Sequence, residues 1–289
     1  QYLKRHPEDA KCMESLNAYE RYVYRELYDE NTGVVYNDIN RNNDWHRLYN
    51  YPWVANFQIA LYRLKKDVRY LLNAYKTMMG YYRSGGEHFY AIGIEAYELK
   101  TLLDEAGFEA QSEAFTQAFL NHADQLTQTS VNYPTSEVKY EQSIVAPAVS
   151  CLLQAYQISG EQKYLEEARK QLKLLELFNG KQADYHLFEN AIRHWDGYWF
   201  GKYRLYGDTF PHYWSALTGN AYSDYGDIIG SNEYKKRADY SHRSVLSLLN
   251  SDGTATCAYV YPTSINGISA NYADPYANDQ DWGLYFNIK

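Results

Sequence analysis

A pair of adjacent helical segments constrains the fold of this chain more than any other feature. In QKYLEEARKQLKLLELF, residues 162–178, apolar residues recur along one helix face and charged residues occupy the other faces. The preceding segment QSIVAPAVSCLLQAYQIS, residues 142–159, is apolar or small nearly all round and must therefore be covered on every side. A short turn around Gly160 separates them. The pair predicts a hairpin of an inner and an outer helix.

The same unit recurs along the chain. Residues 53–83 turn at LKKD, residues 89–126 at DEAGF and residues 211–250 at IGSN. Residues 6–28 have the pattern of an outer helix without its inner partner, and NDQDWGLYF at 278–286 could open a further inner helix. Because each inner helix is buried only when hairpins stack, this repeat predicts an all-α array that closes into a ring.

The lengths of the connections predict that the two ends of the ring differ. Turns within a hairpin are about four residues long, but the chain makes long excursions at 29–52, 127–141, 179–210 and 251–277. Inner helices of a closed ring run parallel, so all long loops should reach the same rim. The sequence predicts one (α/α)n toroid catalytic domain over 1–289, with six hairpins expected, little β structure, and a start partway through a longer protein.

Aromatic residues are concentrated on these long loops. RHWDGYWFGKYRLYGDTFPHYW, residues 193–214, holds three of the six tryptophans without a steady apolar period, and the chain has 33 tyrosines. Tyr and Trp combine flat apolar surface with a polar edge, which suits the CH faces and hydroxyls of sugars. The loops therefore predict an aromatic-lined carbohydrate site at the rim.

Charge and composition argue against several other classes. A net charge of −8 without a basic tract would repel a phosphate backbone, so nucleic acid is not an expected partner. No run of about 18 apolar residues could span a bilayer, and no membrane partner is expected. The three cysteines are scattered and are interpreted as reduced packing residues, and no metal or cofactor motif is present. The sequence does not indicate an oligomeric state, and it is compatible with either a cytoplasmic or an exported protein.

The hairpin repeat, together with RHWDGYWFGK and GDTFPHYWS, resembles the six-hairpin (α/α)6 toroids of carbohydrate-active enzymes. These include glycoside hydrolases that act on uronic-acid sugars and several polysaccharide lyases. The RGNGW-type signature associated with unsaturated glucuronyl hydrolases is absent here. The resemblance implies a carbohydrate substrate and no cofactor.

Four residues are candidates for catalysis. GDTFPHYW is interpreted as a helix start, with Asp208 near the cap and His212 in the first turn, where the helix dipole favours an ionised carboxylate. Glu141 at the entry to the inner helix is the candidate proton donor, since partial burial would raise its pKa. Asp196 is the reserve for either role. Such a pair of carboxyl groups is what glycoside hydrolysis normally needs.

Candidate sugar-binding residues surround these acids. Arg193 and Lys202 favour an acidic sugar, because guanidinium geometry suits a carboxylate. RNNDWHRLYNYPW, residues 41–53, supplies a second wall. The binding candidates are Trp45, His46, Tyr140, Arg193, His194, Trp195, Tyr198, Trp199, Lys202, Tyr213 and Trp214.

The function favoured by the sequence is hydrolysis of an oligo- or polysaccharide at a uronic-acid sugar. A uronate polysaccharide lyase is the nearest alternative, with His212, His194 or Tyr213 as the base. A sugar epimerase and a non-catalytic carbohydrate-binding scaffold are further alternatives, because one fold hosts many chemistries. In the last excursion, the alternation in TATCAYVY predicts a short strand.

Overall fold

A computed structural model describes residues 2–135, 137, 142–177, 179, 193–196, 206–256, 258–261, 264–265, 267–269 and 280–287, with the backbone alone for 193–196, 206–212, 259–261, 264–265, 268–269 and 280–282. The chain forms two compact units. The first is Gln1–Thr129 with Gln154–Tyr164, and the second is Ser130–Leu153 with Leu165–Lys289. The prediction of one catalytic domain with its long loops at one rim stays a prediction.

Helices make up most of the described residues of both units. In chain order they are α1 Tyr2–Arg5, α2 Ala10–Tyr22 continued by a π-helix at Val23–Leu27, α3 Asn50–Lys65, α4 Val68–Arg83, a 3-10 turn at Gly86–His88, α5 Ala96–Glu105, α6 Glu109–Thr129, α7 Gln142–Ser159, α8 Gln162–Glu176, α9 Ser215–Ile229, α10 Asn232–Leu246 and α11 Gln280–Asn287. The four predicted hairpins are thereby confirmed as α3–α4, α5–α6, α7–α8 and α9–α10. The predicted helices near 6–28 and 278–286 are confirmed as well.

The hairpin turns share one backbone feature. A residue with positive φ follows the first helix of each hairpin: Lys66 at 59°, Gly107 at 78°, Gly160 at 72° and Gly230 at 69°. This left-handed conformation ends a helix sharply, and glycine adopts it without steric cost. A side chain caps the start of α4, where Asp67 accepts a hydrogen bond from the Arg69 N–H at 2.9 Å.

Strands replace part of the long aromatic stretch. β1 (Arg193–Asp196), β2 (Tyr206–His212) and β3 (Ala258–Tyr261) form an antiparallel sheet in the order β1-β2-β3. β4 (Ser264–Ile265) and β5 (Ile268–Ser269) form a two-stranded pair. The sheet confirms the strand predicted in TATCAYVY.

The interpretation of GDTFPHYW as a helix start is wrong. Asp208 lies inside β2, His212 is its last residue, and α9 begins only at Ser215. Pro211 falls where the register of β2 against β3 shifts, between Thr209 and His212. A proline has no N–H to donate, and such an irregularity accommodates it without the loss of a ladder bond. The segment 193–196 is likewise a strand and not a loop.

Many of the tyrosines are buried in the hydrophobic core. Ten tyrosines are buried among the residues whose side chains the structure describes, including Tyr28, Tyr133 and Tyr164. Their hydroxyls have partners: Tyr28 donates to the Asn73 carbonyl at 3.0 Å, and Tyr133 to Gln171 Oε1 at 2.9 Å. A buried hydroxyl needs such a partner, so these rings are packing residues. Cys12 and Cys151 are free thiols, as expected, and Cys257 lies outside the described residues.

Candidate functional site

The three-stranded sheet in the second unit brings three ionisable residues into one row. His194 on β1 pairs with Asp208 on β2, and Asp208 pairs in turn with Tyr261 on β3. Partners in an antiparallel ladder have Cα atoms about 4.5–5.5 Å apart. The backbone register therefore places a histidine, an aspartate and a tyrosine at neighbouring positions of the sheet. Tyr261 was not among the predicted site residues, although the alternation that marks its strand was visible in the sequence.

The other predicted residues on these strands occupy separate rows. Arg193 pairs with Thr209, Trp195 with Gly207 and Asp196 with Tyr206, and His212 lies opposite Ala258. Asp196 is therefore two register positions away from Asp208, and His212 lies beyond the register shift. Of the predicted residues, the backbone pairs only His194 with Asp208.

Tyr213 and Trp214 connect this sheet to α9. Tyr213 is 3% exposed, and its ring lies 5.3 Å from that of Trp214 in an edge-to-face arrangement. Trp214 is half-buried and precedes the first residue of α9. Burial makes Tyr213 a packing residue between strand and helix, whereas Trp214 retains exposed surface.

Five predicted residues lie outside the described part of the chain: Glu141, Tyr140, Tyr198, Trp199 and Lys202. In the same excursion as Glu141, however, Glu137 is described. It is half-buried, and burial raises the pKa of its carboxyl. A raised pKa suits a carboxyl group to proton donation, and no sequence pattern had marked Glu137.

The first unit contains a separate aromatic pocket of about 540 Å³ immediately before α3. Trp45 and His46, both predicted to bind sugar, line it, and Trp45 is 79% exposed. His46 Nε2 lies 3.4 Å from the hydroxyl oxygen of Tyr51. Asn37, Arg47, Leu48, Tyr49 and Phe89 complete the lining. Arg47 and Phe89 were not predicted, and Phe89 comes from a distant connection that no local pattern could assign to this pocket.

Stacked and crossed rings shape the pocket wall. Tyr49 lies 4.6 Å from Phe89 edge to face and 6.2 Å from Trp53 in a stacked pair. The Arg47 guanidinium carbon lies 5.7 Å from the centre of the Tyr49 ring and 5.6 Å from that of Trp53. These distances are within the range of cation–π attraction. The wall therefore presents a cation held by two rings.

Two histidines outside both sites are packing residues. His122 is fully buried, and burial lowers its pKa to about 4, a shift that the Phe89 backbone opposes. Burial also lowers the pKa of His242, whose Nε2 lies 2.8 Å from Asn220 Oδ1. In the described part of the chain no group of three His, Cys, Asp or Glu residues could hold a metal ion. No described helix combines the length and apolar character that crossing a membrane requires.

No protein-family model and no curated protein matches this chain. Among solved structures, it is similar to the polysaccharide lyase BACCELL_00875, with 43% sequence identity over 97% of this chain and a TM-score of 0.88. The chain spans 42% of the length of that lyase.

Two glycoside hydrolases are also similar in structure. The α-1,6-mannanase of Salegentibacter sp. HEL1_6, solved as an inactive variant in complex with α-1,6-mannotetrose, has a TM-score of 0.55 at 16% identity, covering 86% of this chain and 73% of the mannanase. The unsaturated glucuronyl hydrolase of Bacillus sp. GL1 has a TM-score of 0.56 at 12% identity, covering 85% of this chain and 73% of that enzyme. The chain thus has the all-α, (α/α)-toroid fold of carbohydrate-active enzymes, and these similarities do not favour a hydrolase over a lyase.

Proposed function

We propose that this chain is the (α/α)-toroid catalytic domain, residues 1–289, of a polysaccharide lyase that cleaves a uronic-acid polysaccharide. The observation that carries this proposal is the 43% identity to a polysaccharide lyase over nearly the whole chain. The glycoside hydrolases are similar at 16% identity or less, which supports the shared fold alone. The proposal thus reverses the order of the two functions that the sequence favoured.

The reaction assigned to the site is elimination. A base removes the proton next to the sugar carboxylate, the bond to the glycosidic oxygen breaks, and a double bond remains in the new sugar end. The leaving oxygen takes up a proton. In this scheme His194 is the base, Asp208 orients its imidazole, and Tyr261 supplies the proton to the leaving oxygen. The register row His194–Asp208–Tyr261 supports these roles.

Glycoside hydrolysis is the second candidate, and Glu137 is the observation that favours it. Its carboxyl has a raised pKa because it is partly buried, as expected of a general acid. Asp208 would then be the ionised partner, as the sequence predicted, and the two hydrolases of this fold provide precedent for the chemistry.

Product analysis distinguishes the two reactions. The chain is incubated with a panel of uronic-acid polysaccharides in heavy-oxygen water, and new reducing ends, ultraviolet absorbance and isotope content are measured. Elimination yields reducing ends together with an absorbing double bond and incorporates no solvent oxygen during cleavage. Hydrolysis yields the same number of reducing ends with one heavy oxygen each and no absorbance. Heavy oxygen without absorbance would overturn the lyase proposal.

A further inference from the structure

We propose that the pocket before α3 is a binding site for an anionic sugar residue, with Trp45 as the stacking platform and Arg47 as the group that recognises the carboxylate. The residues that line the pocket belong to the first unit, whereas the sheet residues assigned to catalysis belong to the second. Its assignment does not depend on the elimination reaction, because it concerns binding and not bond cleavage.

Exposure of Trp45 is the first argument. An indole that is 79% exposed contributes little to the core, and Trp45 lines a pocket with a volume of about 540 Å³. Pockets of about 300–1,000 Å³ are typical of small-molecule sites. An exposed aromatic face beside polar groups fits the apolar CH face and the hydroxyl edge of a pyranose. His46 and Asn37 supply hydrogen-bonding groups within the same lining.

Charge is the second argument. In the part of the lining that the structure describes, Arg47 is the one cation, and no residue carries a carboxylate. Among the described residues Arg47 forms no ion pair; its guanidinium is held instead against Tyr49 and Trp53. Stacking on rings leaves the donor edge of a guanidinium available for a planar carboxylate.

Rigidity is the third argument. Phe89, on the far wall, accepts a hydrogen bond at its carbonyl from the buried Tyr81 hydroxyl at 3.2 Å. Gly86 packs so closely against the Tyr81 ring that an added Cβ would lie 2.3 Å from it. The wall is therefore fixed before a ligand arrives, which lowers the entropic cost of binding.

Equilibrium binding tests the proposal. The background is His194→Ala, or Asp208→Asn if the reaction proves to be hydrolysis, so that the sugar is not cleaved. Calorimetry measures affinity for uronate oligosaccharides and for the same oligosaccharides with their carboxyls reduced to alcohols. In this background Arg47→Met should weaken uronate binding about tenfold or more, since a charge-assisted bidentate contact is lost, and leave the reduced sugars unaffected. Trp45→Ala should weaken both. The unmodified pocket should prefer the uronate, and that preference should fall as salt rises.

Two controls keep the test specific. Arg21→Met removes an exposed cation from α2, and Tyr97→Ala removes an exposed ring from α5; neither residue lines the pocket, and neither change should alter binding. Circular dichroism and thermal midpoints establish that every variant is folded. Unchanged uronate affinity in Arg47→Met, equal affinity for charged and reduced sugars, or no saturable binding would each overturn the proposal. A failure of the elimination assay leaves these outcomes intact, so the two proposals fail separately.

Discussion

Asp208 on β2 lies directly opposite His194 on β1 in the antiparallel ladder. Under the proposed function the carboxylate holds the imidazole in one orientation and tautomer, and the imidazole removes the proton. His194→Ala should lower kcat by about 10²–10⁴, the usual contribution of a general base. Asp208→Asn should lower kcat less, with KM little changed in both variants.

Thr209→Val provides the matched control on the same strand, because Thr209 pairs with Arg193 in the adjacent row. It should retain wild-type kinetics. If Asp208→Asn abolished activity while His194→Ala retained it, the carboxyl would be the reacting group, and hydrolysis would replace elimination as the assignment.

The buried His122 predicts a pH dependence of stability. Its pKa is about 4 in the folded protein against an ordinary value of 6.5, so the unfolded chain binds the extra proton between these limits. The unfolding free energy should be highest above pH 6.5 and fall by about 1.4 kcal/mol per unit as the pH drops towards 4. Urea denaturation at several pH values measures this slope. His122→Gln should flatten it, and His6→Gln, at an exposed site whose charge does not act on His122, should leave it unchanged.

Replacing Gly80 on α4 by alanine should lower the unfolding free energy, which is the opposite of the usual effect in an exposed helix. In an exposed helix interior Gly→Ala stabilises by about 0.5–1 kcal/mol. Here an added Cβ would lie 2.6 Å from the Gly33 carbonyl oxygen and 3.1 Å from the Tyr51 ring. Gly80→Ala should therefore destabilise the protein by about 1–3 kcal/mol, the usual cost of overpacking. A midpoint in denaturant at or above that of the wild type would contradict this packing.

Glu176 joins α8 to α10 in the second unit. It accepts a hydrogen bond from the Tyr234 hydroxyl at 2.6 Å and one from Arg237 Nη1 at 2.9 Å. Glu176→Ala removes a charged acceptor from both donors and should lower the unfolding free energy by about 1.5–3 kcal/mol. Glu176→Gln keeps the tyrosine bond and should cost less. Glu166→Ala, at an exposed position of the same helix, is the control and should be near neutral.

The sequence by itself determined the helices and their pairing. The apolar face of 162–176, the all-round apolar 142–159 and the turn at Gly160 are local patterns, because a helix forms hydrogen bonds only within itself. The same logic identified the other three hairpins, and the resemblance of this repeat to (α/α)6 toroids implied the carbohydrate-active class. The sequence also made Trp45 and His46 candidates for sugar binding, and that assignment stays a prediction.

Only the tertiary structure decided where the strands pair and what completes each site. Asp208 and Pro211 are equally compatible with a helix start and with a strand containing a register shift, and pairing with His194 and Tyr261 selects the strand. Phe89 reaches the Trp45 pocket from a connection about forty residues further along the chain. Strand partners and pocket walls come from segments distant in sequence, so no local period encodes them.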